Sequence, residues 1–284
     1  MQQSNHDKSI LRRIMGTEAK GYNLITRINN FNLSYDDLGE GGVPIIFLHG
    51  FPFNKQMWQV QLEFLKVTNR VIACDIRGFG NSKDEESVLS MDLFGDDLIQ
   101  FLDKLNIDKA IVCGLSMGGY IALNAYKRYP DRFDALILCD TQCVADTLEV
   151  KTKRLMLIDE IALNSTENFT EGFVKNVFHK DSLTQKKEIV EELRNVILSN
   201  SKHIISMGLR ALAKRSETCS VLSKIKIPTL IICGREDLIT PLAQSEFMNK
   251  SIEGSIFHIV DDAGHVSNLE QAHEFNKHLH DFLK

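Results

Sequence analysis

Short, nearly unbroken apolar runs alternate along the chain with longer segments whose apolar residues recur every three or four positions. The runs are VPIIFLHG (43–50), RVIACD (70–75), KAIVCGLS (109–116), DALILCD (134–140), TLIICGRED (229–237) and GSIFHIV (254–260). Each is shorter than an ordinary helix and apolar at consecutive positions. That pattern predicts strands buried on both faces, as in a parallel sheet covered by helices. The intervening segments predict helices near 55–66, 90–105, 117–129, 242–250 and 267–283. LITRINNFNLSYDDLG (24–39) alternates instead and contains an Asn-Asn turn, so it predicts an antiparallel hairpin at the sheet edge. Strands alternating with helices define an α/β fold with a mostly parallel sheet flanked by helices.

One block breaks the alternation. Residues 141–220 hold no convincing strand but several amphipathic helical patterns, among them RLMLIDEIAL and HIISMGLRALAKR. Helices inserted between two strands of one sheet read as a helical cap, and Pro228 marks the return to the sheet. The predicted organisation is an N-terminal arm (1–20), a core in two pieces (21–140 and 221–284) and the cap (141–220). Within the arm, Ile10, Leu11, Ile14 and Met15 fall roughly on one face of a short helix.

Composition narrows the function. The 284 residues are 43% hydrophobic and 25% charged, an ordinary globular balance. A net charge of −5 without a basic block argues against nucleic acid as a partner. No apolar run approaches the roughly 20 residues needed to span a bilayer, and the polar N-terminus lacks the apolar stretch of a secretory signal. Six cysteines without a CxxC pair suggest neither zinc nor a dithiol redox motif. They read as small apolar fillers in a reducing compartment, which predicts a cytoplasmic protein. The oligomeric state is left open, a homodimer included.

The candidate chemistry begins at CGLSMGGY (113–120), where a serine sits among three glycines between an apolar run and a helical pattern. Gly114-Leu115-Ser116-Met117-Gly118 matches the G-x-S-x-G nucleophile elbow in its strand–turn–helix context. A sharp reversal holds the serine in a strained backbone conformation that flanking side chains would obstruct. A phosphate-binding P-loop is disfavoured because its Lys-Ser/Thr end is absent, and the glycine spacing does not fit a dinucleotide fingerprint.

A serine hydroxyl needs a base. Among nine histidines, His265 in DDAGHVSNLE stands on a loop after a strand, on the rim expected for Ser116. His278 and His280 lie two apart on a helix and face different ways; His179, His203 and His258 carry no turn signature and read as structural. The acid that orients the base is Asp237 in ICGREDLITP, with Glu236 and Asp140 in reserve. In HGFPFN (49–54), Pro52 has no N–H, so the Phe51 amide is the natural oxyanion donor beside that of Met117. His49 reads as a brace for that loop.

HGFP, D-x-R-G-F-G-x-S (75–82), GLSMGGY, GREDLITP and AGH, in this order, resemble the α/β-hydrolase superfamily from about residue 24 onward. The resemblance implies Ser116, Asp237 and His265 as a catalytic triad, the Phe51 and Met117 amides as oxyanion hole, and 75–82 as a structural loop. The cap opening and GLRALAKR look like the carboxylesterase and 3-oxoadipate enol-lactonase-like branch. A serine hydrolase of small carboxylic esters, thioesters or lactones is therefore expected, with no cofactor or metal. Phe53 and Trp58 are expected to line an apolar substrate pocket together with Phe51, Met117 and cap residues. A serine at the elbow argues against epoxide hydrolases and haloalkane dehalogenases, whose elbow carries aspartate. C–C bond hydrolases, hydroxynitrile lyases, cofactor-free perhydrolases and a ligand-binding signalling receptor with a retained triad remain as alternatives.

Overall fold

The computed structural model describes residues 20–284, so the predicted arm, Lys20 apart, lies outside the described residues. The strands are β1 (Gly21–Ile28), β2 (Phe31–Leu38), β3 (Ile45–Leu48), β4 (Val71–Cys74), β5 (Ala110–Leu115), β6 (Phe133–Cys139), β7 (Thr229–Gly234) and β8 (Ile256–Val260). The helices are α1 (Gln59–Leu65), α2 (Met91–Lys104), α3 (Met117–Arg128), α4 (Leu148–Leu163), α5 (Thr166–Val177), α6 (Ser182–Gln185), α7 (Lys187–Leu198), α8 (Lys202–Lys214), α9 (Leu242–Ser251), α10 (Ser267–Glu270) and α11 (Ala272–Leu283).

These strands form one sheet in the order β1-β2-β4-β3-β5-β6-β7-β8. The hairpin β1–β2 is antiparallel, and β2 meets β4 antiparallel; every pairing from β4 to β8 is parallel. The hairpin turns at Asn29, whose φ of 45° is a conformation asparagine tolerates better than most residues. Strands β3, β4 and β7 are buried at every position, which is why they read as unbroken apolar runs.

From β3 the chain moves one way along the sheet to β4, then reverses and crosses to β5, β6, β7 and β8. Right-handed crossovers in opposite directions place α1 on one face and α2, α3 and α9 on the other. Such a reversal opens a crevice beyond the carboxyl ends of the strands flanking it, here β3 and β5. The loops after β3 and β5 are those that carry Phe51 and Ser116.

The 75–82 loop is held from beneath. Arg77, 1% exposed, makes a two-bond fork with Asp97 (2.6 Å each), contacts Asp84 at 2.6 Å and lies 3.8 Å over the Phe31 ring. Asp75 accepts the Lys55 and Asn81 N–H groups at 2.8 Å each. A buried charge is tolerable only when paired and hydrogen-bonded this fully.

Helices α4–α8 lie between β6 and β7, in the segment expected to form a cap, and are called the cap below. Its two connections to the sheet are joined by a disulfide, Cys143–Cys219, across a Cα separation of 4.8 Å. This corrects the reading of all six cysteines as free fillers. Cys74, Cys113, Cys139 and Cys233 are buried free thiols, while the other two are cross-linked. The inference from thiol usage to a reducing compartment loses its footing accordingly. Among the described residues no helix is long and apolar enough to cross a membrane.

Candidate active site

Strand β5 ends at Leu115 and α3 begins at Met117, leaving Ser116 alone to make the reversal at φ 54°, ψ −114°. The glycines around it are required by contact. A Cβ on Gly118 would stand 2.2 Å from the Leu48 carbonyl oxygen, and one on Gly114 would stand 2.3 Å from the Gly118 carbonyl. The strained residue is fixed by its backbone: Ser116 N–H donates to Cys139 O, while its carbonyl accepts from Tyr120 N–H and, at 2.8 Å, from the Thr141 hydroxyl.

The loop after β3 closes on this turn. A Cβ built on Gly50 would lie 3.4 Å from the Ser116 Cβ. The next amide is that of Phe51, and among the described residues neither it nor the Met117 amide donates to a protein acceptor. Met117 opens α3, so the partial positive charge of a helix N-terminus adds to its N–H. His49 accepts the Ile76 N–H at Nε2 (2.9 Å) and lies 2.9 Å from Gly50 O at Nδ1, a bridge between loops. Burial pushes its pKa below the ordinary imidazole range, with the Asp75 charge pulling the other way.

His265 and Asp237 occupy the loops after β8 and β7. His265 Nδ1 lies 2.8 Å from Asp237 Oδ2, both side chains being buried. Asp237 Oδ1 accepts from the Ile239 and Thr240 N–H groups, and Oδ2 from the Thr240 hydroxyl at 2.7 Å. Burial raises the Asp237 pKa, but the His265 charge and the hydrogen bonds from His265 and Thr240 outweigh it, leaving the group below its ordinary range. A carboxylate so held fixes the imidazole with Nδ1–H toward Asp237 and Nε2 free to accept a proton.

Asp140, one of the two reserves, has partners of its own. Asp140 accepts Gly234 N–H at 2.7 Å and the Ser267 hydroxyl at 2.6 Å; burial and the neighbouring Asp237 charge push its pKa well up. Asp140, Cys233 and Asp237 cluster closely enough to suggest a metal site. Burial raises the Cys233 thiol, however, and both carboxylates are already occupied by hydrogen bonds, so the trio offers little to a cation.

An aromatic group joins the loop after β3 to the cap. The Phe51 ring meets Phe79 at 5.9 Å and, from α5, Phe169 at 6.3 Å and Phe173 at 6.2 Å; Phe53 meets Phe173 at 5.9 Å. From α8, Gly208 approaches so closely that a Cβ there would stand 2.5 Å from the Phe51 ring. Phe53 is thus in contact with the cap. Trp58 is not, and its expected place in the pocket is corrected: it is fully buried between Phe47 and Phe275, beneath the sheet's helical layer. Ser116 itself is buried, 7% exposed. A cleft of about 770 Å³ between α7 and residues 56–60 includes none of Ser116, Asp237 and His265.

This arrangement has known parallels. Residues 43–272 match the family model described as the alpha/beta hydrolase fold. The chain belongs to that family. Within it, the chain is 32% identical to 3-oxoadipate enol-lactonase 1 of Acinetobacter baylyi, over 97% of this chain and 98% of that one. A thermophilic esterase from Thermogutta terrifontis superposes with a TM-score of 0.87 at 30% identity, covering 92% of this chain and 98% of its own. The enol-lactonase from Burkholderia xenovorans LB400 gives 0.85 at 26% identity, covering 92% and 99%.

Among the described residues the Ser116 hydroxyl forms no hydrogen bond with His265. In ligand-free sites such contacts are commonly long and tighten when substrate binds. Motif reading missed Thr240 and Phe169–Phe173 contacts, although GREDLITP contains the threonine and the F-x-x-x-F spacing in NFTEGF places both rings on one helical face.

Proposed function

We propose that the protein is a serine hydrolase that cleaves small carboxylic esters, thioesters or lactones through an acyl-enzyme. The observation that carries this reading is the buried 2.8 Å contact between His265 Nδ1 and Asp237 on the rim where Ser116 makes its strained turn. Similarity to enol-lactonases and an esterase supports the substrate class.

In this mechanism His265 Nε2 takes the Ser116 proton as Oγ attacks the carbonyl carbon, and Asp237 stabilises the imidazolium. The carbonyl oxygen gains negative charge and is met by the Phe51 and Met117 N–H groups; losing one such donor costs about 10²–10³ in turnover. The intermediate collapses as His265 returns the proton to the leaving oxygen or sulfur. Water, deprotonated by the same nitrogen, then releases the acid and restores Ser116. The aromatic group of Phe51, Phe169 and Phe173 favours apolar acyl or leaving groups beneath the cap.

The test is hydrolysis of short p-nitrophenyl esters and a lactone panel, with fluorophosphonate labelling mapped by mass spectrometry. Sustained turnover, labelling at Ser116 and its loss in Ser116→Ala are expected. Undiminished hydrolysis by Ser116→Ala would overturn the assignment; a single burst without turnover would favour a receptor.

A further inference from the structure

One buried carboxylate outside the proposed triad has its backbone partners in the two segments that meet at the proposed base. Glu270, at the end of α10, is 1% exposed. Its Oε1 accepts the Gly264 N–H at 2.7 Å, and its Oε2 accepts the His179 N–H at 2.7 Å. The Ser182 hydroxyl bonds to the same carboxyl group. Gly264 immediately precedes His265, whose own N–H donates to Val177 O at 2.7 Å. Val177, His179 and Ser182 all belong to the cap, at the end of α5 and the start of α6.

The two backbones lie in direct contact. A Cβ on Gly264 would stand 2.8 Å from Val177 O and 2.9 Å from His179 N, so only glycine fits there. On its other side the histidine loop is held to the sheet, through Glu236 N–H donating to Ala263 O at 3.0 Å. The imidazole therefore stands on a loop gripped between sheet and cap. An apolar side chain would fill the Glu270 position without the cost of burying a carboxylate, a cost visible in its burial-raised pKa. What the carboxylate adds is a pair of directional acceptors that span two chain segments.

We propose that Glu270 is a positioning residue that locks cap residues 177–179 to the His265 loop and thereby sets where the imidazole stands relative to Ser116. The inference rests on the reading of His265 as the base. It makes the cap part of the support of the catalytic group as well as a roof over substrate. A displacement of about 1 Å at a reacting group can cost about 100-fold in rate, so a small slip of this clamp reaches the chemistry.

Glu270→Gln preserves shape but turns an NH₂ toward one of two N–H donors, breaking one arm of the clamp. With p-nitrophenyl ester as substrate, kcat falls roughly ten- to a hundred-fold while KM stays within about two-fold, measured well below the unfolding transition. Fluorophosphonate labelling of Ser116 slows in proportion. Ser182→Ala, which touches neither backbone, gives a smaller loss of kcat in the same direction and serves if Glu270→Gln does not fold. The downfield proton resonance of His265 Nδ1–H shifts or broadens in both variants. Unchanged kcat and resonance in folded variants would overturn the proposal, as would a rise in KM that accounts for the whole effect. The resonance requires no turnover, so failure of the clamp and failure of the hydrolase reading are separable.

Discussion

Ser116 is the place where backbone strain can be measured in isolation. Its φ of 54° and ψ of −114° lie in a region that residues with a Cβ rarely occupy, and holding one there costs about 1–3 kcal/mol. Both Ser116→Ala and Ser116→Gly remove the hydroxyl, so neither retains a function that could confuse the comparison. Alanine keeps the Cβ and the strain, whereas glycine releases it. Against that release stands the larger entropy of glycine in the unfolded chain, about 0.4–1 kcal/mol. The glycine variant is therefore expected to be the more stable by about 1.3 kcal/mol. For 284 residues the unfolding entropy is about 0.6 kcal/mol/K, so the difference in Tm is about 2 °C. Differential scanning calorimetry and urea midpoints on the two proteins side by side read it directly. An alanine variant that melts at or above the glycine variant would refute the claim that this turn stores strain.

Two further outcomes follow from the fold. Burial raises the Asp84 pKa, but hydrogen bonds from Ser87 and Arg77 prevail and hold it at about 2. Its contribution to stability is thus complete above the unfolded value near 3.9 and fades as pH falls toward about 2; the gap in urea midpoint between wild type and Asp84→Asn should narrow over that interval, and a gap independent of pH would contradict the pairing. Thiol titration in denaturant without reductant should find four reactive cysteines, rising to six after reduction; six from the start would mean that Cys143 and Cys219 are not bonded.

Much of the architecture was legible because burial imposes itself on short segments. The run KAIVCGLS became β5 with only Ile111 partly exposed, and the predicted helix at 90–105 became α2 at Met91–Lys104, capped by the Ser90 side chain. The Asn-Asn turn likewise announced β1–β2, since few other residues accept its geometry. Order within the sheet was not legible, because β4 and β5 are equally apolar and nothing local says which one flanks β3 on which side. The helix expected at 267–283 breaks at Gln271, whose backbone leaves helical geometry just after Glu270 turns inward to the clamp. One of the partners there, His179, is 91 residues away in the chain. Trp58 misled for a related reason: its position beside HGFPFN suggested the pocket, but the short helix at Lys55–Trp58 turns its ring toward Phe275. Adjacency in sequence does not fix the side a residue faces. The pairing of Cys143 with Cys219 was equally hidden, because it depends on where the cap's two ends meet.

The positions of β7 and β8 along the chain bear on the order of synthesis. The nucleophile elbow follows β5, whereas the loops holding Asp237 and His265 follow strands made only after the entire cap has been translated. Synthesis runs from the N-terminus, and a domain generally folds as a unit. A nascent chain would thus carry Ser116 well before the loops of Asp237 and His265 are made. On the mechanism proposed above, a chain that stops short of β8 lacks its base, and activity waits for the closing strands of the sheet.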